Sequence, residues 1–317
     1  MSKHNKKLDQ AARAAWMYYV AGETQHDIAE KLGVSRQVAQ RLVALAVEEG
    51  LVSVSIAHPV ADCMTLAEQL KKRFDLQLCQ VVPSAGVEGA GVQQMIAVAG
   101  AEVMAQTLRQ DQPQIVAVGS GRTLRATIDE LPEFDRPQHS CVSLIGAIAS
   151  DGSCTRYDVP LWMAEKTQGR YFILPAPLYA DSPEDRDLWC NHRIYRTVTD
   201  KAARADVMFV GIGQVSAGCP LNADGFISDG QVSRLESLQV AAEMLGHFIG
   251  QDGQRVASEL DDRLTSVPLN AQTQRKVIAF AGGAEKHQAI AAALRGRWIT
   301  GLITDEESAR FALAQPD

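Results

Sequence analysis

Short runs of apolar residues with no polar position on either face recur along this chain. Ile115-Val-Ala-Val118 and Val207-Met-Phe-Val210 are the clearest. A strand that is apolar at every position must be covered on both faces, the condition of a parallel sheet packed between helices. From Leu76 onward such runs alternate with segments of helical period. Strands are expected at 76–82, 114–119, 141–145, 171–174, 207–212, 277–281 and 299–303. Helices are expected at 91–109, 123–130, 160–167, 183–190, 199–204, 284–294 and 305–313. The alternation predicts a doubly wound α/β domain with a mainly parallel sheet.

The first sixty residues read differently. A helix is expected over 8–21, with Ala11, Ala15, Tyr18 and Tyr19 at helical spacing, and it stops at Gly22. Thr24 is a good N-cap for a second helix through Leu32, with Asp27 three residues on, near a capping-box pattern. Gly33 ends that helix, and Ser35 caps a third over 36–49. Val52-Ser-Val-Ser-Ile56 alternates as a half-buried strand. Two short helices joined by Gly33-Val34-Ser35 have the proportions of a helix-turn-helix, with the strand as one arm of a wing. Ala29 must be small where the third helix crosses it, and Ile28, Leu32, Val34, Val38 and Leu42 are expected to form the shared core. The usual third-helix core position falls on Ala39, with Val38 beside it. Ser35, Arg36, Gln37, Gln40 and Arg41 are then the candidates for contact with base edges and phosphates of double-stranded DNA. The alternative is an ordinary helical bundle with polar residues on its surface.

A net charge of -7 over 317 residues argues against nucleic acid as a partner only while it is averaged over the whole chain. Residues 1–60 carry seven Lys and Arg against six Asp and Glu, leaving 24 against 32 for the remainder. The acidity belongs to the C-terminal part. Pro59 marks a boundary, so the expected organisation is a DNA-binding domain at 1–58 and an effector-binding and oligomerisation domain at 59–317. No apolar run approaches the ~18–20 residues needed to span a bilayer, and the polar start lacks a signal-peptide core, so no membrane partner is expected and the cytoplasm is the expected compartment. Six cysteines without a C-x-x-C spacing and seven histidines without a ligand cluster predict neither metal nor cofactor.

Three loops of the α/β region follow apolar strands and enter helices, where ligands of such sheets bind. Val118-Gly-Ser-Gly-Arg-Thr123 combines glycines that let the backbone approach an anion with a helix start and three donors, Ser120, Arg122 and Thr123, around Gly121. It lacks the third glycine of a dinucleotide fingerprint and the Gly-Lys-Ser/Thr of a P-loop. The alternative is a tight strand-to-helix turn. Gly211-Ile-Gly213-Gln-Val-Ser216 is the second loop. The third, Ala281-Gly-Gly-Ala-Glu-Lys286, puts a lysine in a first helical turn, where the helix dipole opposes it. A bound anion resolves that conflict, and a solvated surface lysine is the alternative. Thr304-Asp305-Glu306-Glu307 reads as a capped helix start.

The run Tyr18-Tyr-Val-Ala-Gly-Glu-Thr-Gln-His-Asp-Ile28-Ala-Glu-Lys-Leu-Gly33-Val-Ser-Arg36 resembles the helix-turn-helix of the SorC family of bacterial sugar-responsive regulators. Four further segments are similar to that family's effector domain, in the family's order: Val118–Thr123, Ala242-Glu-Met-Leu-Gly-His-Phe-Ile-Gly-Gln-Asp-Gly253, Ala281-Gly-Gly-Ala-Glu-Lys-His-Gln-Ala-Ile290 and Leu302-Ile-Thr-Asp-Glu306. The resemblance implies a repressor or activator of a carbohydrate or polyol operon, whose DNA affinity is set by a sugar, polyol or sugar-phosphate. It implies an effector domain similar to ribose-5-phosphate isomerase and glucosamine-6-phosphate deaminase, and a homo-oligomer, commonly a tetramer built as a dimer of dimers. It assigns Ser120, Gly121, Arg122 and Thr123 to a phosphate-binding loop, Lys286 to the anion, and Glu243 to sugar hydroxyls. Gly213 belongs to the neighbouring loop. On local grounds alone Glu243 is one acid in a helix, where a solvated side chain is equally expected.

The competing class is a sugar-phosphate isomerase or deaminase with a helical appendage. Its acid/base candidates are Asp206, Glu243 and His287, none forced together by sequence spacing.

Overall fold

The computed structural model describes residues 3–52, 59–84, 86–148, 152–153 and 159–316. The chain divides into two compact units, Met1–His58 and Pro59–Asp317.

The N-terminal unit holds α1 (Lys3–Tyr19), α2 (Gln25–Leu32) and α3 (Arg36–Glu48). Thr24 and Asp27 close a full capping box on α2, and Gly33 ends it with φ 63°. Ser35 caps α3, its hydroxyl accepting from the Val38 N–H at 3.3 Å. The core is built from Ala11, Ala14, Ala15, Ile28, Ala29, Ala39, Leu42, Val43 and Ala46. Residues 39, 42, 43 and 46 form one helical stripe, so Ala39 occupies the core and Val38, one position round the helix, is 39% exposed. The expected core position of Val38 is corrected accordingly. Tyr18 and Tyr19 also stand outside the core, edge to face at 5.0 Å. The expected wing strand falls on residues 53–56, outside the described residues.

The second unit runs α4 (Pro59–Phe74), β1 (Leu78–Val82), α5 (Ala90–Leu108), β2 (Ile115–Val118), α6 (Arg122–Asp129), β3 (Ser140–Ile148), α7 (Val159–Thr167), β4 (Arg170–Pro177), α8 (Pro183–Asn191), α9 (Arg193–Ala203), β5 (Val207–Gly211), α10 (Pro220–Ala223), α11 (Asp229–Ser237), β6 (Val240–Met244), β7 (His247–Gly250), β8 (Val277–Phe280), a 3-10 turn at Ala284–Lys286, α12 (His287–Arg295), β9 (Gly301–Asp305) and α13 (Glu306–Ala314). Among the described residues, seven strands form one sheet in the order β1-β9-β8-β5-β2-β3-β4, and every pairing is parallel. Alternate side chains feed two cores. Ala117, Met208, Val210, Ala279 and Leu302 face one side, while Val116, Val118, Phe209, Phe280 and Ile303 face the other. Phe209 and Phe280 stack at 5.7 Å in the second. Both faces are dry, which is why these strands carry no polar alternation.

The order of the strands decides where a ligand can enter. From β2 the chain winds outward through β3 to β4; from β5 it winds the opposite way through β8 to β9. β2 and β5 are neighbours, so the connections leaving them diverge to opposite sides and open a crevice between their carboxyl ends.

The hairpin β6–β7 was not expected. Ala241-Ala-Glu-Met-Leu245 is made of strong helix formers, and its local preference is overridden by pairing. Leu245 and Gly246 both have positive φ, 52° and 82°, as a two-residue type I′ turn requires. Glu243 therefore sits on a strand, a correction to the helical placement expected for it.

Candidate functional site

A cavity of about 320 Å³ occupies the crevice beyond β2 and β5. That volume suits a small molecule. Its lining includes Ser120, Gly121, Arg122, Thr123, Gly213, Glu243 and Lys286, so seven residues from three loops and the hairpin share one space.

The polar side of the cavity is made largely by backbone. Gly121 starts α6 with φ 133° and offers no side-chain cap. The first helical bond runs from the Arg125 N–H to the Gly121 carbonyl at 2.9 Å, so the amides of Arg122, Thr123 and Leu124 have no intrahelical acceptor. Gly283 starts the 284–286 turn in the same way, at φ 96° and without a side-chain cap. The starts of α5, at Gly89, and of α10, at Cys219, also lack one. By contrast α2, α3, α8, α9, α11 and α13 are each capped by a side chain at Thr24, Ser35, Ser182, His192, Ser228 and Asp305. Residues in the opening turns of these four elements line the cavity. The free amides at the start of α6, beside the uncapped 284–286 turn, give this side of the cavity an anion-attracting field.

Two cations reinforce it. Arg122 is exposed at the rim, and Lys286 is half-buried at the end of the 284–286 turn. Burial among protein atoms pushes the Lys286 ammonium below its ordinary range. Glu285 and Glu243 oppose that shift, and Arg122 adds to it. Among the described residues no salt bridge reaches Lys286.

Glu243 lines the same cavity. It exchanges backbone hydrogen bonds with Gly213, N–H to carbonyl at 2.9 and 2.8 Å, in an isolated antiparallel bridge. Its Oε1 accepts from the Gly246 N–H at 2.6 Å. Tyr179 donates to the Gly246 carbonyl at 2.9 Å and holds the turn from behind. Burial raises the Glu243 carboxyl above its ordinary range, against the Gly246 hydrogen bond and the field of Lys286. The solvated-side-chain alternative therefore does not describe it: the carboxylate is aimed, clamped and partly desolvated. A fixed carboxylate with one oxygen committed to an amide leaves acceptor capacity for hydroxyl donors.

Several residues of the site carried no signal that was read in the sequence. Gln93 lines it and donates to the Arg122 carbonyl at 3.2 Å, tying α5 to the loop after β2. Leu221, Asp224 and Phe226 line another part. Asn222 shapes that segment by accepting from the Gly218 N–H and donating to the Ile227 carbonyl and Asp229. Asp305 is a buried cap for α13, as expected, and also accepts from the Gly283 N–H at 2.9 Å, holding that glycine in place.

The acid/base trio is not assembled. Asp206 accepts from the Ile115 N–H at 2.7 Å, beside the first residue of β2 and so at the amino ends of the strands, away from the cavity. His287 stacks on Phe311 at 5.0 Å and is not a lining residue. Only Glu243 of the three borders the cavity. Among the described residues no group of three or more His, Cys, Asp or Glu could hold a metal ion, and no helix is long and apolar enough to cross a membrane. In the N-terminal unit, Arg36, Gln37, Gln40 and Arg41 are exposed on α3, while the Ser35 hydroxyl is engaged as its cap.

Comparison with known proteins bears on both units. Residues 58–314 match the family described as "Putative sugar-binding domain". The chain is 34% identical over 307 residues to the erythritol catabolism regulatory protein EryD of Brucella abortus, covering 97% of each chain. It is 32% identical over 310 residues to the transcriptional regulator LsrR of Escherichia coli K12, covering 96% of this chain and 94% of that one. The full-length sorbitol operon regulator SorC from Klebsiella pneumoniae superposes with a TM-score of 0.72 at 25% identity, over 97% of this chain and 99% of that one. These relatives are transcriptional regulators and not enzymes, which sets aside the isomerase or deaminase reading. The chain belongs to the SorC family of sugar-binding transcriptional regulators.

Proposed function

We propose that this protein binds operator DNA through residues 1–58 and that its DNA affinity is set by a sugar, polyol or sugar-phosphate held at the β2/β5 crevice of residues 59–317. The observation that carries the reading is the convergence of the uncapped start of α6, the 284–286 turn, Arg122 and Lys286 on one cavity that the clamped carboxylate of Glu243 also lines. An anionic group is held at the first pole through Ser120–Thr123 and Lys286, and hydroxyls are read at the second by Glu243 beside Gly213. A neutral polyol uses the same donors; EryD, a relative, is named for the catabolism of one.

On this reading α2 and α3 form a helix-turn-helix. Arg36, Gln37, Gln40 and Arg41 meet base edges and phosphates, and Ser35 opens the recognition helix next to the backbone. The effector domain is similar in fold to sugar-phosphate isomerases and deaminases. The protein works in the cytoplasm as a homo-oligomer, a dimer of dimers, so that paired recognition helices meet paired half-sites. The effector acts by binding one arrangement of the oligomer more tightly than another.

A thermal-shift panel of sugars, polyols and their phosphates, followed by operator titration with each hit, tests the reading. Ligands that bind only the folded state raise the melting temperature in proportion to affinity. The expected result is a stabilising ligand that also changes DNA affinity. Sequence-independent DNA binding, unaffected by every stabilising ligand, overturns it.

A further inference from the structure

The outer corner formed by α8 and α9 is built unlike the rest of the second unit. α8 is a well-made helix: Ser182 caps it through the Asp185 N–H at 3.1 Å, and Pro183 opens its first turn. Yet none of its nine residues is buried. A helix of that length is not stable on its own in water and depends on packing of an apolar face. Cys190 packs half-buried against the main core, but the larger apolar residues of α8 are exposed. Leu188 is 74% exposed and Trp189 37%, and Ile194 at the start of α9 is 46% exposed. Three large apolar side chains exposed within seven residues mark a contact surface more than ordinary solvated helix.

The charges on either side of that apolar centre differ in net sign, although Arg186 on α8 is paired with Asp187 and Asp200 on α9 is exposed. Glu184 and Asp187, exposed on α8, precede it; Arg193 and Arg196, exposed on α9, follow it. Asp187 already holds Arg186 at 3.0 Å, and Arg196 reaches Asn191, so both helices present organised charge. Along the chain the corner runs from a net acidic stretch through apolar residues to a net basic one, an order that complements its own inverse. Self-complementarity is what a two-fold interface demands, since each chain meets its own surface inverted. Strand addition is a poor alternative here. β4 is the edge of the sheet, but Pro175 and Pro177 remove amide donors from its second half.

We propose that the α8–α9 corner pairs two copies of this chain about a two-fold axis. Leu188, Trp189 and Ile194 lie at the centre, and the acidic flank of each copy meets the basic flank of the other. The inference rests on the homo-oligomer reading above and names its surface.

Two charge-reversed forms of the full chain test it: Arg193→Glu with Arg196→Glu, and Glu184→Arg with Asp187→Arg. Light scattering after size exclusion at low salt is expected to give each form alone half the wild-type mass, because its like-charged flanks now repel. An equimolar mixture is expected to return to the wild-type mass, since the acidic form complements the basic one. Recovery on mixing also establishes that both forms are folded. Leu188→Ser with Ile194→Ser, its fold checked by circular dichroism, is expected to halve the mass without rescue by either. Wild-type mass in all three forms overturns the proposal and shows that something other than a second copy covers the corner. Dissociation of both charge forms with no recovery on mixing overturns it as well. A wild-type chain that is itself monomeric removes the oligomer reading first, a result distinguishable from either of these.

Discussion

Gly213 and Glu243 lie 30 residues apart in sequence and exchange both backbone hydrogen bonds, at 2.9 and 2.8 Å. The bridge fastens the β6–β7 hairpin to the loop after β5 and so fixes the carboxylate that shares the cavity with the anion-attracting start of α6.

That contact leaves no room for a methyl group. A Cβ on Gly213 would stand 2.8 Å from Glu243 Oε2, whereas one on Gly211 would meet only the Ser120 carbonyl at 3.5 Å. Gly213→Ala is expected to displace the carboxylate and weaken the effector response at least about 10-fold, the scale of one charged hydrogen bond. Gly211→Ala is expected to leave it within about 2-fold. Isothermal titration of the two variants with a stabilising ligand checks both, and equal affinities would show that the bridge does not position Glu243.

Lys286 carries a stability cost in the ligand-free protein. Its folded pKa is depressed by burial. The contribution that the uncharged amine makes to stability is therefore present above the unfolded lysine pKa and lost as pH falls through the folded value. Where the ammonium is charged in the folded protein it opposes folding, because burial disfavours that charge. Lys286→Met is expected to raise the melting temperature of the free protein by a few degrees, roughly what a kcal/mol or less produces in a domain of this size. The same variant is expected to lose most of its stabilisation by phosphorylated ligands. A drop in the free protein's melting temperature, with ligand stabilisation intact, would remove the lysine from the site.

His247 sets an acid limit. It is buried on β7 with both ring nitrogens unpartnered, and burial, reinforced by Arg255 and opposed by Asp261, lowers it to about 4. The neutral ring's contribution is fully present above the unfolded value of about 6.5 and is lost as pH falls toward 4, a total of about 3 kcal/mol. His247→Phe should flatten the stability profile between pH 6.5 and 4 while leaving the neutral-pH melting temperature equal or higher. Parallel profiles for the two proteins in chemical denaturation across that range would refute this.

In the N-terminal unit, Ala39 is fully buried and Val38 39% exposed. Ala39→Leu is expected to overpack the α1–α3 contact and cost about 1–3 kcal/mol. Val38→Ala is expected to change stability by less than about 0.5 kcal/mol. Urea titration of the two variants, following operator binding as the readout for this unit, distinguishes them.

Much of this could be read locally. The central strands were marked by apolar runs, because burial on both faces leaves no room for polar alternation in residues such as Val207–Val210. Thr24, Ser35 and Asp305 announced helix starts through chemistry confined to a few residues. Ser228 and Gln231 form a capping box of the same kind at the start of α11, a helix not among those expected. The hairpin could not be read this way. Ala241–Leu245 prefers a helix, and only the bridge to Gly213 and the turn at Leu245-Gly246 make it a strand pair. Asp206 failed for a related reason: it lies close in sequence to a ligand-side loop but at the opposite end of β5.

By itself the sequence determined the layered α/β body, the capped helices of the N-terminal unit and the three glycine-containing loops, since period, capping and turn chemistry act over a few residues. Only the tertiary structure decided that those loops meet. β2 and β5 become neighbours through pairing across about 90 residues, and that single adjacency turns the chain's winding outward on both sides. Strand order is settled by which apolar faces bury best together, a sum over the whole sheet that no local pattern records. The same sum drew a helix-favouring segment into a hairpin and set Glu243 and Lys286 in one cavity.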